Sequence, residues 1–90
     1  MANAIVTGGT RGLGRAIIER LTRDGWSVVF DARRGTDVAR TVDEVNSAGH
    51  AGEVIGIPGD IIDPRHRAKL VAAIGDGGLD LLVNNAGSLG

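Results

Sequence analysis

This sequence of 90 residues contains no cysteine and no tyrosine, and its only aromatic residues are Trp26 and Phe30. Without cysteine, disulfide bonds and thiolate chemistry are excluded. With so few aromatic side chains, the stacking surfaces that bind single-stranded nucleic acid are not expected. The net charge is −1, so overall electrostatics give no reason to expect a nucleic-acid or membrane partner.

The sequence also lacks long apolar runs. None approaches the roughly 18 residues of a membrane span, and the N-terminus shows no basic segment followed by an apolar one, so no signal peptide is recognised. We therefore expect a cytoplasmic protein. The apolar content of 42% is sufficient for a globular core, and the length allows at most one small domain.

Short apolar runs alternate with helical patterns along the chain. The predicted strands are Ala4–Val6, Trp26–Phe30, Val54–Ile57 and Leu79–Val83. The apolar positions expected on the inner faces of the three helices are Leu13, Ala16, Ile17 and Leu21, then Val38, Val42 and Val45, then Leu70, Val71 and Ile74. The order β-α-β-α-β-α-β predicts an α/β fold with parallel strands and right-handed helical connections.

Helix ends are predicted from capping residues. Thr36 or Asp37 is expected to cap the second helix, and Asp63, followed by Pro64, the third. Gly25, Gly49 and Gly75 are expected to end the three helices.

The stretch from Thr7 to Gly14, with four glycines, separates the first strand from the first helix. Glycine permits backbone angles and close approach that a Cβ would block. The free N–H groups at the start of the helix then face an anion. We interpret the stretch as the pyrophosphate site of a dinucleotide. A Walker-type loop is not expected, because Gly14 is followed by Arg15 and not by a Lys-Ser/Thr pair.

Three motifs, each at the end of a predicted strand, together resemble the N-terminal part of a short-chain dehydrogenase/reductase. They are Thr7-Gly8-x-x-x-Gly12-x-Gly14, Asp60-Ile61 and Asn84-Asn85-Ala86-Gly87. The resemblance spans all 90 residues and implies a partial Rossmann, or doubly wound, parallel sheet with strand order 3-2-1-4. Residues 1–90 would then be the incomplete, N-terminal part of a dinucleotide-binding domain.

The resemblance implies a role for each motif residue. The backbone amides from Gly8 to Leu13 and the Thr10 side chain would hold the pyrophosphate, and Gly14 would let the helix pack on the sheet. Asp60 would accept from the adenine amino group, beside Ile61. Asn85, Ala86 and Gly87 would line the ribose near the nicotinamide. With Arg11 and Arg33, discussed next, the expected cofactor-binding residues are Gly8, Gly9, Thr10, Arg11, Gly12, Leu13, Gly14, Arg33, Asp60, Ile61, Asn85, Ala86 and Gly87.

Simpler interpretations remain open for two motifs. Asp60 could be a solvated loop carboxylate that shares capping with Asp63. Asn84 and Asn85 could be structural amides that tie the fourth strand to its neighbour.

The end of the second strand indicates which nicotinamide cofactor is used. An acidic residue there binds the ribose hydroxyls of NAD and repels a 2′-phosphate. By the family's spacing this position is Ala32, followed by Arg33 and Arg34. A neutral residue leaves room, and an arginine fork matches a phosphate. We expect NADP rather than NAD, with Arg11 and Arg33 as the clamp, unless a one-residue bulge brings Asp31 to the ribose.

The catalytic residues of the family are not expected in these 90 residues. The family's proton relay uses a tyrosine, a lysine four residues later and a serine, whereas this sequence has no tyrosine and one lysine, Lys69, predicted far from the cofactor edge. Ser88 lies too close to the Asn-Asn-Ala-Gly motif to be the family's serine. His50 and His66 are predicted to be solvated surface residues, and they form no metal site.

The sequence therefore predicts an NADP(H)-dependent oxidoreductase, represented here by its cofactor-binding part. Hydride would pass between the nicotinamide and a carbonyl or alcohol substrate. The glycine loop with its arginine also resembles the loop of 3-oxoacyl-thioester reductases, which would make a 3-oxoacyl thioester the substrate. The rest of the enzyme, in the same chain or a second polypeptide, would supply acid/base groups, and the family commonly forms homo-oligomers. The alternative is a non-catalytic dinucleotide-binding or sensing module.

Overall fold

A computed structural model describes residues 2–85. Its strands and helices alternate along the chain. The strands are β1 (Asn3–Thr7), β2 (Ser27–Ala32), β3 (Glu53–Pro58) and β4 (Leu81–Asn84). The helices are α1 (Gly12–Arg23), α2 (Gly35–Ser47) and α3 (Pro64–Ile74), the last followed by one 3-10 turn (Gly75–Gly77).

The four strands form one parallel sheet in the order β3-β2-β1-β4. This confirms the predicted α/β class and the strand order 3-2-1-4. Because all strands run in the same direction, their carboxyl ends meet at one edge of the sheet. None of the helices among residues 2–85 is long and apolar enough to cross a membrane.

The alternation of side chains along the strands divides the core into two layers. Val28 and Phe30 of β2 face α1 and α2, in a cluster with Ile18 of α1 and Val38 and Val45 of α2. Val29 faces the opposite side and packs with Ile5 of β1 and Leu70 of α3. Because successive residues of a strand point to opposite faces, the next residue after Phe30 is directed towards α3.

Helix α1 is rotated relative to the prediction. Its buried residues are Gly14, Ile18 and Thr22, spaced four residues apart, whereas Leu13 is 69% exposed. The prediction that Leu13 and Ala16 face the core was therefore wrong. The reason is the close contact at Gly14, which has no side chain to hold the helix away from the sheet. In α3, Val71 is likewise exposed, and His66 and Leu70 are the buried residues.

Element boundaries also differ from the prediction, including that of the fourth strand, which spans Leu81–Asn84 and not Leu79–Val83. Helix α2 begins at Gly35 without a side-chain cap, so neither Thr36 nor Asp37 is the N-cap. Strand β2 continues through Asp31 and Ala32, because its pairing with β3 continues to the Ala32–Pro58 pair. The predicted cap of α3 is confirmed: Asp63 accepts a hydrogen bond from the Arg65 amide at 2.9 Å.

Candidate cofactor-binding site

The glycine turn lies at the carboxyl edge of the sheet, between β1 and α1. Gly8 and Gly12 have φ angles of 72° and 59°, in the left-handed region that favours glycine. Gly14 is needed for space, since a Cβ there would lie 2.3 Å from the carbonyl oxygen of Gly8. The turn therefore folds back closely on the first residues of α1.

The start of α1 offers backbone donors at this edge. Arg11 precedes the helix with extended backbone and no side-chain cap, and the first turn carries no acidic residue. The N–H groups of a helix's first turn have no partner within the helix. The dipole of the helix adds a partial positive charge at the same point. The charge at the start of α1 is therefore compatible with the predicted anion site.

Two amides of the turn donate hydrogen bonds to Asp31 within the protein. The Gly8 amide donates to Asp31 Oδ1 at 2.8 Å, and the Gly9 amide donates to the Asp31 carbonyl oxygen at 2.9 Å. This narrows the expected pyrophosphate-binding set, which ran from Gly8 to Leu13. Without these two amides, the expected pyrophosphate-binding set runs from Thr10 to Leu13.

The Asp31 side chain does not reach the ribose position by a bulge. The β2–β3 register is continuous from Ser27–Glu53 to Ala32–Pro58. Asp31 is 2% exposed, and its Oδ2 atom lies 2.7 Å from Nε2 of His66. Both carboxylate oxygens therefore have partners in the interior, and the neutral Ala32 ends the strand.

The two histidines differ from the prediction. His66 is 5% exposed, because its position one helical turn before Leu70 directs it at the sheet. His50 is half-buried, and its Nδ1 lies 2.9 Å from Thr22 Oγ1. Neither is a solvated surface residue. The pairing of Asp31 with His66 was missed: the alternation of β2 and the i, i+4 spacing of α3 place each residue on an inner face, but they do not indicate that the two meet.

A cleft of about 290 Å³ lies between the beginnings of α1 and α2. Its lining residues are Thr10, Arg11, Arg15, Asp37, Arg40, Thr41 and Glu44. Arg11, one half of the expected clamp, is exposed here. Arg33 is also exposed, at the end of β2, but is not among the residues that line this cleft.

A second cleft, of about 300 Å³, lies where β3 ends and α3 begins. Asp60 lines it, and Asp60 Oδ1 accepts from the Ile62 amide at 3.1 Å. Ile61 is half-buried and packs on the Ile5–Val29–Leu70 cluster. Lys69 lines the same cleft. Lys69 and Asp60 therefore line one cleft, because α3 follows β3 after a short connection.

Asn85 joins the end of β4 to the glycine turn. Its Nδ2 donates to the Gly8 carbonyl oxygen at 2.8 Å, and its amide donates to Thr7 Oγ1 at 2.9 Å. These contacts fit the structural interpretation of the amide and also place Asn85 beside the turn. Ala86 and Gly87 lie outside the described residues.

Comparison with known proteins shows which family this chain resembles. The family model for short chain dehydrogenases matches residues 2–90. A D-beta-hydroxybutyrate dehydrogenase of Rhizobium meliloti is 37% identical over 86 residues, which cover 93% of this chain and 33% of that protein. A hydroxyacyl-CoA dehydrogenase of Mycobacterium tuberculosis is 43% identical over 88 residues, covering 93% and 28%.

Comparison with solved structures also finds reductases. L-sorbose reductase from Gluconobacter frateurii, complexed with NADPH and L-sorbose, matches with a TM-score of 0.85 and 28% identity, over 97% of this chain and 34% of that one. An actinorhodin polyketide ketoreductase variant with NADPH matches with a TM-score of 0.81 and 35% identity, over 96% and 33%. The chain thus spans about a third of the length of the relatives it matches.

Proposed function

We propose that this chain, which belongs to the short-chain dehydrogenase family, binds NADP(H) and forms the cofactor-binding part of an oxidoreductase. Hydride would pass between the nicotinamide and a carbonyl or alcohol carbon of a small substrate. The named relatives act on substrates as different as a hydroxybutyrate, a hydroxyacyl-CoA and a sorbose. The similarity therefore supports the cofactor chemistry and not a particular substrate.

The observation that carries the NADP(H) assignment is the end of β2. Ala32 is neutral and half-buried, Arg33 is exposed, and the carboxylate that precedes them in the sequence, that of Asp31, is directed into the interior. A carboxylate facing the ribose would favour NAD, whereas a nearby guanidinium favours a 2′-phosphate. Arg11 supplies a second exposed cation on the glycine turn. Both solved relatives described above were crystallised with NADPH.

The remaining assignments follow from position at the carboxyl edge. The amides of Thr10 to Leu13 would bind the pyrophosphate, Asp60 and Ile61 would lie at the adenine, and Asn85 at the nicotinamide ribose. In the family the acid/base groups are a serine, a tyrosine and a lysine beyond these motifs. We propose that further polypeptide, in the same chain or a second one, supplies them.

The cofactor assignment is tested by Arg33→Ala. Losing a charge-assisted hydrogen bond to the 2′-phosphate should weaken NADPH binding by roughly tenfold to a hundredfold, while NADH binding changes little. Isothermal titration calorimetry with both cofactors measures this. Arg23→Ala is the matched control, because it removes the same charge at the end of α1, away from the carboxyl edge. Equal losses for NADPH and NADH in Arg33→Ala would refute the clamp.

A further inference from the structure

A carboxylate and an imidazole meet in the interior directly beneath the glycine turn. Asp31 is 2% exposed and His66 5%, and the distance from His66 Nε2 to Asp31 Oδ2 is 2.7 Å. Because the acceptor is a carboxylate, Nε2 carries the hydrogen of this bond. Asp and His side chains are seldom buried so fully, and a buried carboxylate requires partners to offset its lost hydration.

The same carboxylate contacts the cofactor-binding turn. Asp31 Oδ1 accepts from the Gly8 amide at 2.8 Å, so one carboxylate connects the turn to α3 through His66. Asp31 is also the residue immediately before Ala32, where the family's ribose-binding position falls. It is thus the acidic residue nearest in sequence to the position expected to face the 2′-phosphate. Its side chain is held on the α3 side of the sheet.

The chain leaves a specific space for the imidazole. A Cβ on Gly59 would lie 2.1 Å from His66 Nδ1 and 2.6 Å from its Cε1. Gly59 is itself fixed, since its amide donates to the Ala32 carbonyl oxygen at 2.9 Å. The ring is therefore enclosed between Asp31 on one side and the backbone after β3 on the other, which leaves its orientation little freedom.

We propose that His66 is a specificity-determining positioning residue, which retains the Asp31 carboxylate beneath the turn and so keeps it away from the cofactor's 2′-phosphate. The inference rests on the proposed NADP(H) binding. Without the imidazole, Oδ2 of Asp31 loses its partner in a buried place, which favours rotation of the carboxylate towards solvent at the ribose edge. There it repels a 2′-phosphate and accepts from the ribose hydroxyls of NADH.

The test compares NADPH and NADH affinities in four variants by isothermal titration calorimetry on the full chain. His66→Ala should lower the preference for NADPH over NADH by roughly tenfold, the scale of repulsion between a carboxylate and a phosphate a few ångströms apart in water. Adding Asp31→Asn to His66→Ala should restore the preference, because no carboxylate is left to release. His66→Gln, whose amide can still donate to Asp31, should keep it, and His50→Ala is the control for losing a histidine elsewhere.

Gly59→Ala provides an independent perturbation, since its methyl group occupies the space of the imidazole. It should reproduce the effect of His66→Ala with His66 still present. In the cofactor-free protein, both variants should also shift the Gly8 amide proton upfield in nitrogen-15 correlation spectra, because the carboxylate bond to that amide is lost.

The outcomes separate the two proposals. If the unaltered protein binds neither cofactor, or prefers NADH, the proposed function fails. If it prefers NADPH, and His66→Ala weakens both cofactors equally or leaves the ratio unchanged, only the role of His66 fails. An Asp31→Asn/His66→Ala variant that stays as impaired as His66→Ala would overturn the role as well, since a purely structural defect is not repaired by removing the carboxylate.

Discussion

Replacing Gly14 with alanine tests how tightly the glycine turn is packed on α1. The added Cβ would lie 2.3 Å from the Gly8 carbonyl oxygen and 2.7 Å from Asn85 Nδ2. Ordinary van der Waals contact begins at 3.4 Å, so the backbone oxygen would have to move by about 1 Å. That oxygen also accepts the 2.8 Å hydrogen bond from Asn85, which the methyl group would displace.

The expected loss of stability follows from three terms. Overpacking against a backbone atom costs about 1–3 kcal/mol, and the lost hydrogen bond about 0.5–1.5 kcal/mol. Alanine is favoured over glycine within a helix by about 1 kcal/mol, and by less in the first turn. The free energy of unfolding should therefore fall by about 2 kcal/mol in Gly14→Ala, a large fraction of the stability of a small domain.

Urea unfolding followed by circular dichroism measures this. With a slope of about 1 kcal/mol per molar, the midpoint should fall by roughly 2 M. Gly35→Ala is the control, because it also adds a methyl group in the first turn of a helix, where the nearest atom, Pro58 Cβ, is 3.9 Å away. It should leave stability unchanged or slightly raised. A Gly14→Ala variant as stable as Gly35→Ala would contradict the close contact of turn and helix.

Three further predictions concern single side chains. Ala32→Asp should shift the cofactor preference towards NADH, measured as the ratio of the two dissociation constants, and an unchanged ratio would show that this position does not face the ribose. Asn85→Ala should lower the free energy of unfolding by about 1 kcal/mol through loss of its bond to the Gly8 carbonyl oxygen; no change in the urea midpoint would argue against that bond. Ile18→Val, at a side chain 0% exposed, should cost about 1 kcal/mol, whereas Ile62→Val, at 75% exposure, should cost nothing measurable; similar losses in both would contradict the described core.

The sequence by itself determined the order of elements and the sheet. Alternation of apolar runs with helical patterns is local, and the parallel connections follow from it, while the motifs' resemblance to a family supplied the order 3-2-1-4. The cap at Asp63 was equally predictable, since a capping carboxylate and the proline after it act within one turn of the chain.

Which face of each helix is buried was decided by tertiary contacts. A helical period of 3.6 residues left more than one apolar stripe on α1, and only the close approach at Gly14 selects the one with Ile18 and exposes Leu13. The same holds for α3, where the described structure buries a histidine in preference to Val71. Propensity could not indicate this, because the carboxylate that makes the burial favourable lies 35 residues earlier in the chain.

The orientation of the Asp31 side chain is the clearest example of a feature that tertiary contacts decide. In the sequence it stood one residue from the ribose-binding position, and a bulge in β2 would have reversed the cofactor assignment. The continuous pairing of β2 with β3 directs its side chain to the α3 face. There the Gly8 amide and His66 occupy its two oxygens. A sequence specifies that a carboxylate is present near a site. The register of the strand and the hydrogen-bond partners of the carboxylate decide the direction in which that side chain is oriented.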